Sequence, residues 1–123
     1  MQTLVFVYGT LIRGQRNNRL LIESDYLGQA ELNDFAMYDL FYFPGIKADP
    51  GSKVKGELYN VDESTLETLD RLEGDGYLYV RQKVKAQKDG ASISAFTYVY
   101  NQEVDPKDRI PYENQPYKGM QEL

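Results

Sequence analysis

A chain without histidine or cysteine has few ways to move a proton or attack a carbon, and these 123 residues contain neither. His-based triads, thiol nucleophiles, zinc–thiolate sites and disulfide frameworks are excluded. Acid–base work falls to a carboxylate, a tyrosine or a lysine. One carboxylate stands in an unusual place. In Leu69-Asp70-Arg71-Leu72-Glu73-Gly74 the leucine spacing reads as the end of a helix, with Gly74 where a left-handed capping residue belongs. Glu73 then meets the negative end of the helix dipole, which disfavours an anion. That placement raises its pKa toward neutrality, where one glutamate can take a proton and return it. Asp70 shares the last turn, and charges that break a local rule gather at functional sites. A glutamate is otherwise mostly a solvated surface residue, and Asp70 could pair with Arg71 or Arg81 for structural reasons alone.

The second locus is Tyr8-Gly9-Thr10-Leu11-Ile12-Arg13-Gly14-Gln15. Gly9 and Gly14 let the backbone turn, and the amides of such a turn can converge on a carboxylate or phosphate. No Gly-Lys-Ser/Thr follows, so this is not a P-loop. Read alone, the segment is equally a plain turn after a strand. Tyrosine is heavily used, with 11 Tyr beside 5 Phe and no Trp. Tyr38, Tyr42, Tyr59, Tyr79, Tyr98 and Tyr100 could line a pocket with apolar walls and polar tips, or simply pack a barrel.

The elements that must position these residues follow from patterning. Leu4–Tyr8 is a continuous β-branched and aromatic run, a strand buried on both faces. Asn17–Ile22 reads as a short helix capped by Asn17 or Asn18. Gly28–Leu32 and Phe35–Tyr42 read as strands, with turns at Pro44-Gly45 and at Asp49-Pro50-Gly51. Lys53–Val61 alternates as a strand, and Gly56 inside it marks a bulge or a close backbone approach. Asp62–Glu73 is the strongest helix, capped by Asp62, with a capping box Ser64-x-x-Glu67 in a neighbouring register. Tyr77–Ala86 alternates, Asp89-Gly90 is a hairpin turn, and Ile93–Tyr100 returns as its partner. After Asn101 three prolines punctuate residues 101–123, an extended tail that wraps the domain or is partly loose. The sum is one α+β domain over 1–123. It reads as a small closed, mostly antiparallel β-barrel of about six strands with one or two flanking helices.

The charge balance, 14 basic against 19 acidic residues, gives a net −5. That argues against a nucleic-acid or anionic-membrane partner, although Lys53, Lys55, Lys83 and Lys85 could share one wet face. The first residues lack a basic n-region, and no apolar run approaches membrane-spanning length. The reading is a soluble cytoplasmic protein.

Taken in order, these segments resemble a known family. Tyr8-Gly9-Thr10-Leu11 followed by Gly14-Gln15-x-Asn17 is similar to the signature of the gamma-glutamylcyclotransferase-like family, particularly its gamma-glutamylamine cyclotransferase branch. Tyr42-x-Pro44-Gly45 and Gly56-Glu57-x-Tyr59-x-Val61-Asp62 resemble its turn and central strand. Leu69-Asp70-x-x-Glu73, then Tyr79 and Arg81, resembles its catalytic-helix pattern, and Tyr98-x-Tyr100 its late strand. The resemblance covers Leu4 to Tyr100. It implies a metal-free, cofactor-free cyclotransferase that releases 5-oxoproline and a free amine from a small γ-glutamyl amine or γ-glutamyl amino acid. It implies Glu73 as the acid/base and Tyr8, Gly9, Thr10 and Leu11 as the substrate-binding loop. Tyr79, Arg81 and Tyr42 are further candidates for lining the pocket or orienting Glu73. The chain departs from the pattern where the family often has a proline after the glutamate: Gly74-Asp75-Gly76 loosens that loop. The alternative is a non-catalytic module that binds a small carboxylate on the same barrel.

Overall fold

The apolar run at the start becomes strand β1 (Thr3–Val7), and its central residues are buried on both faces. Phe6 packs into one core and Val5 and Val7 into the other, as a strand with no polar side must. The computed structural model describes residues 2–74 and 76–119. β1 pairs antiparallel with β3 (Pro44–Val61) and parallel with β5 (Ala91–Tyr100). β5 runs antiparallel to β4 (Tyr79–Lys88) across the Asp89-Gly90 turn. β4 meets β2 (Asp25–Asp39), and β2 runs back along β3. The sheet therefore returns to its first strand and forms a ring, which removes its long edges. A two-residue strand, β6 (Arg109–Ile110), adds to β2 at Met37 and Tyr38.

One core fills the ring, with Phe6, Leu32, Met37, Ile46, Val54 and Leu58 converging from its strands. The other lies between the outer face and α1 (Glu63–Glu73), the single α-helix among the described residues, whose fully buried Leu69 packs with Val5, Val7 and Val61. No helix among the described residues is long and apolar enough to cross a membrane.

Several expected boundaries move. The expected helix Asn17–Ile22 is a 3-10 turn over Asn18–Leu21, and Asn17 makes no side-chain cap because its amide bonds Thr10 instead. The two expected strands Gly28–Leu32 and Phe35–Tyr42 are one, β2, with a bulge where Asp34 takes φ 67°. β2 ends at Asp39, residues 40–43 make the reversal, and Pro44-Gly45 opens β3. Asp49-Pro50-Gly51 does not end a strand. Register steps from Asn33 opposite Lys53 to Phe35 opposite Ala48, so these residues bulge out of β3. Gly51 N–H donates to Asp34 Oδ1 at 2.9 Å and holds the bulge. The capping box at Ser64 and Glu67 is not used, since Asp62 caps the helix directly.

Gly56 is a close approach. Pairing runs through it without a shift, and a Cβ there would lie 2.3 Å from the Val7 carbonyl oxygen and 2.6 Å from the Phe6 ring. The tail is tied down as far as Tyr117. Gln115 accepts from Lys55 N–H at 2.8 Å and donates to the Ile110 carbonyl at 3.2 Å, and Tyr117 enters the core of the ring.

Candidate active site

The position of Glu73 is fixed from both ends of α1. At the start, Asp62 Oδ1 accepts from Thr65 N–H at 2.7 Å. At the end, Gly74 adopts φ 62°, ψ 52° and its N–H turns back to the carbonyls of Asp70 and Arg71. Leu69, one turn earlier, is fully buried and pins the helix to the ring. Glu73 is the last helical residue and is partly buried at the ring's surface.

Its carboxyl shares a narrow cavity of about 20 Å³ with Tyr8, Gly9, Thr10 and Leu11, together with Phe43, Tyr79 and Tyr98. That volume holds about one water molecule. A second compartment of about 100 Å³ continues outward, lined by Arg16, Asn17, Leu72 and Leu78. Thr10, Phe43, Glu73 and Tyr79 border both. A roomier cavity, about 430 Å³, lies elsewhere, between β2, β3 and the β4–β5 hairpin, and touches neither Glu73 nor the 8–11 loop.

Burial raises the Glu73 pKa from its ordinary 4.5 to about 7. The direction is the one the sequence suggests, and the cause given by the structure is the loss of water around the carboxyl. The tyrosine walls explain this. Burial also raises Tyr8, Tyr79 and Tyr98, so these phenols stay protonated. Tyr8 donates to the Tyr98 carbonyl at 2.6 Å and Tyr79 to the Pro44 carbonyl at 2.7 Å. Tyr98 donates to Asp70 Oδ1 at 2.7 Å, and Asp70 is held in turn by Arg81 at 3.1 Å.

The 8–11 loop is braced from behind. Asn17 N–H donates to the Thr10 carbonyl and Asn17 Nδ2 to Thr10 Oγ1, both at 2.9 Å. Asn18 Nδ2 donates to the Leu11 carbonyl at 2.7 Å. Buried Glu57 accepts from Arg13 N–H at 3.0 Å and from the Tyr59 hydroxyl at 3.1 Å. Gly9 is required by contact: a Cβ there would meet Pro44 Cγ at 2.7 Å. Among the described residues nothing accepts a hydrogen bond from the N–H groups of Thr10 and Leu11. Two such donors in a turn are an anion-binding feature.

Of the residues singled out from sequence, Glu73, Tyr8, Gly9, Thr10, Leu11 and Tyr79 come together around one cavity. Arg81 lines neither compartment; its ion pair is to Asp70, which orders the Tyr98 wall. Tyr42 lines neither compartment. Its ring is exposed and stacks edge-on against Phe41, and its carbonyl accepts from Arg16. Asp75 lies outside the described residues. Sequence reasoning missed Phe43, Arg16 and the bracing role of Asn17. Only Asn17 left a signal, at a fixed distance behind Gly14.

Residues 5–118 match the family model described as gamma-glutamyl cyclotransferase, AIG2-like. A gamma-glutamylcyclotransferase family protein of Escherichia coli K12 is 36% identical over 102 residues, covering 82% of this chain and 85% of that one. The gamma-glutamylaminecyclotransferase A of Danio rerio is 38% identical over 108 residues, 76% of this chain and 66% of the relative. The crystal structure of a Pyrococcus horikoshii protein superposes with a TM-score of 0.73 at 29% identity, over 88% of this chain and 85% of that one. With a family model matched over residues 5–118 and relatives more than 30% identical over most of their length, the chain belongs to the gamma-glutamyl cyclotransferase, AIG2-like family.

Proposed function

We propose that this protein is a cofactor-free γ-glutamyl cyclotransferase in which Glu73 is the sole acid/base. The observation that carries the reading is a carboxyl raised to about 7 that borders the same cavity as a turn with two unclaimed N–H groups. In this reading Thr10 and Leu11 N–H hold the substrate's α-carboxylate. The γ-glutamyl chain folds back so that its α-amine faces its own γ-carbonyl, and holding that conformer supplies much of the rate. Glu73 takes a proton from the α-ammonium, and the freed amine attacks the γ-carbon. Glu73 gives that proton to the leaving nitrogen as its bond to the γ-carbon breaks, then takes the second proton from the ring nitrogen and passes it to the departing amine, which leaves as an ammonium. The products are 5-oxoproline and a free amine; no water is consumed.

A γ-glutamyl group is larger than the inner compartment, so its entry requires a wall to move. Phe43 borders both compartments and belongs to the 40–43 reversal, where Phe41 holds φ 88°. A strained reversal of this kind suits a wall that yields.

The test is 5-oxoproline release from γ-glutamyl-ε-lysine, γ-glutamyl-alanine and glutathione, with wild type and Glu73→Gln. Release by the wild type that falls at least about 100-fold in the variant is expected. Release that survives the substitution removes Glu73 from the mechanism. Absence of release from every member, with 5-oxoproline or glutamate still bound, favours the non-catalytic binding module.

A further inference from the structure

We propose that Arg16 reads a carboxylate on the leaving amine, so that the preferred substrates are γ-glutamyl derivatives of apolar α-amino acids. The inference rests on the cyclotransferase reading and concerns the outer compartment. Glu73 borders both compartments. The inner one carries the 8–11 loop, which suits the glutamyl half. Glu73 hands its proton to the leaving nitrogen, and the outer compartment, which it also borders, is the space open to the leaving group once the glutamyl half occupies the inner one.

The chemistry of that compartment is specific. Leu72, Leu78 and Phe43 give it apolar walls, and Arg16 is the one cation bordering either compartment among the described residues. The guanidinium has five N–H donors. One of them, on Nη2, donates to the Tyr42 carbonyl at 2.6 Å. No carboxylate among the described residues forms an ion pair with it. It is also held in place. Asn17, the next residue, is locked to Thr10 by two hydrogen bonds of 2.9 Å, and Gln15 N–H donates to the Ile12 carbonyl at 3.1 Å. The backbone that carries Arg16 therefore keeps its position relative to the glutamyl loop. An α-amino acid offers what this space selects: a carboxylate for the guanidinium, an apolar side chain for the leucines, and an amine at Glu73.

Three substrates separate the contributions: γ-glutamyl-leucine, γ-glutamyl-leucinamide and γ-glutamyl-isoamylamine. The first has carboxylate and apolar side chain, the second loses the charge, and the third loses the group. The wild type is expected to favour the acid over the amide by about 10- to 100-fold in kcat/KM, the worth of a charge-assisted hydrogen-bonded pair. In Arg16→Gln that ratio falls to within about threefold of one, while Arg16→Lys retains an intermediate preference. An equal loss on all three substrates in Arg16→Gln would mean that Arg16 only anchors the 40–43 reversal, and would overturn the proposal. So would a wild type that does not distinguish acid from amide. In both cases 5-oxoproline is still released, so the cyclotransferase reading survives. If none of the three yields 5-oxoproline, the failure lies with that reading, and binding of leucine against leucinamide to the wild type decides whether Arg16 recognises a carboxylate at all.

Discussion

Replacing Glu73 by Gln is expected to change how stability depends on pH, independently of any activity. A glutamate that ionises at about 7 in the folded protein and near 4.5 in the unfolded chain binds more protons when folded across that interval. Folding is therefore favoured at low pH. The contribution is fully present below 4.5 and is lost as pH rises through 7. Between pH 5 and pH 8 the loss works out at about 2.5 kcal/mol, from 1.36 kcal/mol per pH interval of full proton difference. Asp49 and Asp62 have pKa values lowered below 3.8, chiefly by a hydrogen bond from Ser52 and from the Thr65 N–H respectively. Their contribution is lost only as pH falls through that lower range, so the window from 5 to 8 isolates Glu73. Urea denaturation at pH 5, 6, 7 and 8 measures the effect. With a slope of roughly 1.5 kcal/mol per molar, the wild-type midpoint should fall by about 1–2 M. The Glu73→Gln midpoint should stay nearly level and exceed the wild type's at pH 8. Midpoints that move in parallel in the two proteins would show that Glu73 ionises normally, and the acid–base role built on its burial would fall with that result. In the active protein the same group predicts a kcat/KM that rises with pH through about 7, because the base form is needed first.

Tyr98→Phe removes a 2.7 Å hydrogen bond to a carboxylate, and chemical denaturation should show a loss of about 2 kcal/mol. Gly56→Ala forces a Cβ to within 2.3 Å of the Val7 carbonyl oxygen, a backbone atom that cannot swing away. Its expected cost is about 3 kcal/mol or more, visible as poor accumulation of folded protein. Tyr117 is buried, and its hydroxyl has no partner among the described residues. Tyr117→Phe should therefore be neutral or stabilising by up to about 1 kcal/mol, whereas Tyr117→Ala empties part of the core of the ring and should cost about 3–5 kcal/mol.

The sequence made local features legible where one residue type has one physical use. Asp62 and Gly74 bracket the helix because a short acid caps a first turn and only glycine takes a left-handed cap cheaply. Gly56 and Gly9 mark close approaches, although the partners, Val7 and Pro44, lie far away in sequence and could not be named. The long strands were not legible as such. Asp34 and the Asp49–Ser52 bulge look like strand ends, because the residues that bend a strand are the residues that end one. Phe43 and Arg16 carried no signal: their place beside Glu73 comes from the packing of the 40–43 reversal near the helix end, which the closure of the ring sets.

The same limit explains why the direction of the Glu73 shift was readable and the burial behind it was not. A helix-end dipole is a local property; desolvation depends on what the rest of the chain brings. Here it brings three tyrosines, and their hydrogen bonds matter as much as their bulk. A phenol that donated to Glu73 would stabilise the anion and hold the pKa down. Instead Tyr8, Tyr79 and Tyr98 direct their protons to the Tyr98 carbonyl, the Pro44 carbonyl and Asp70. The walls thus exclude water from Glu73 without offering the carboxylate a substitute. In a chain with no imidazole, that combination is what lifts a glutamate to the pH where it can accept a proton and give it back.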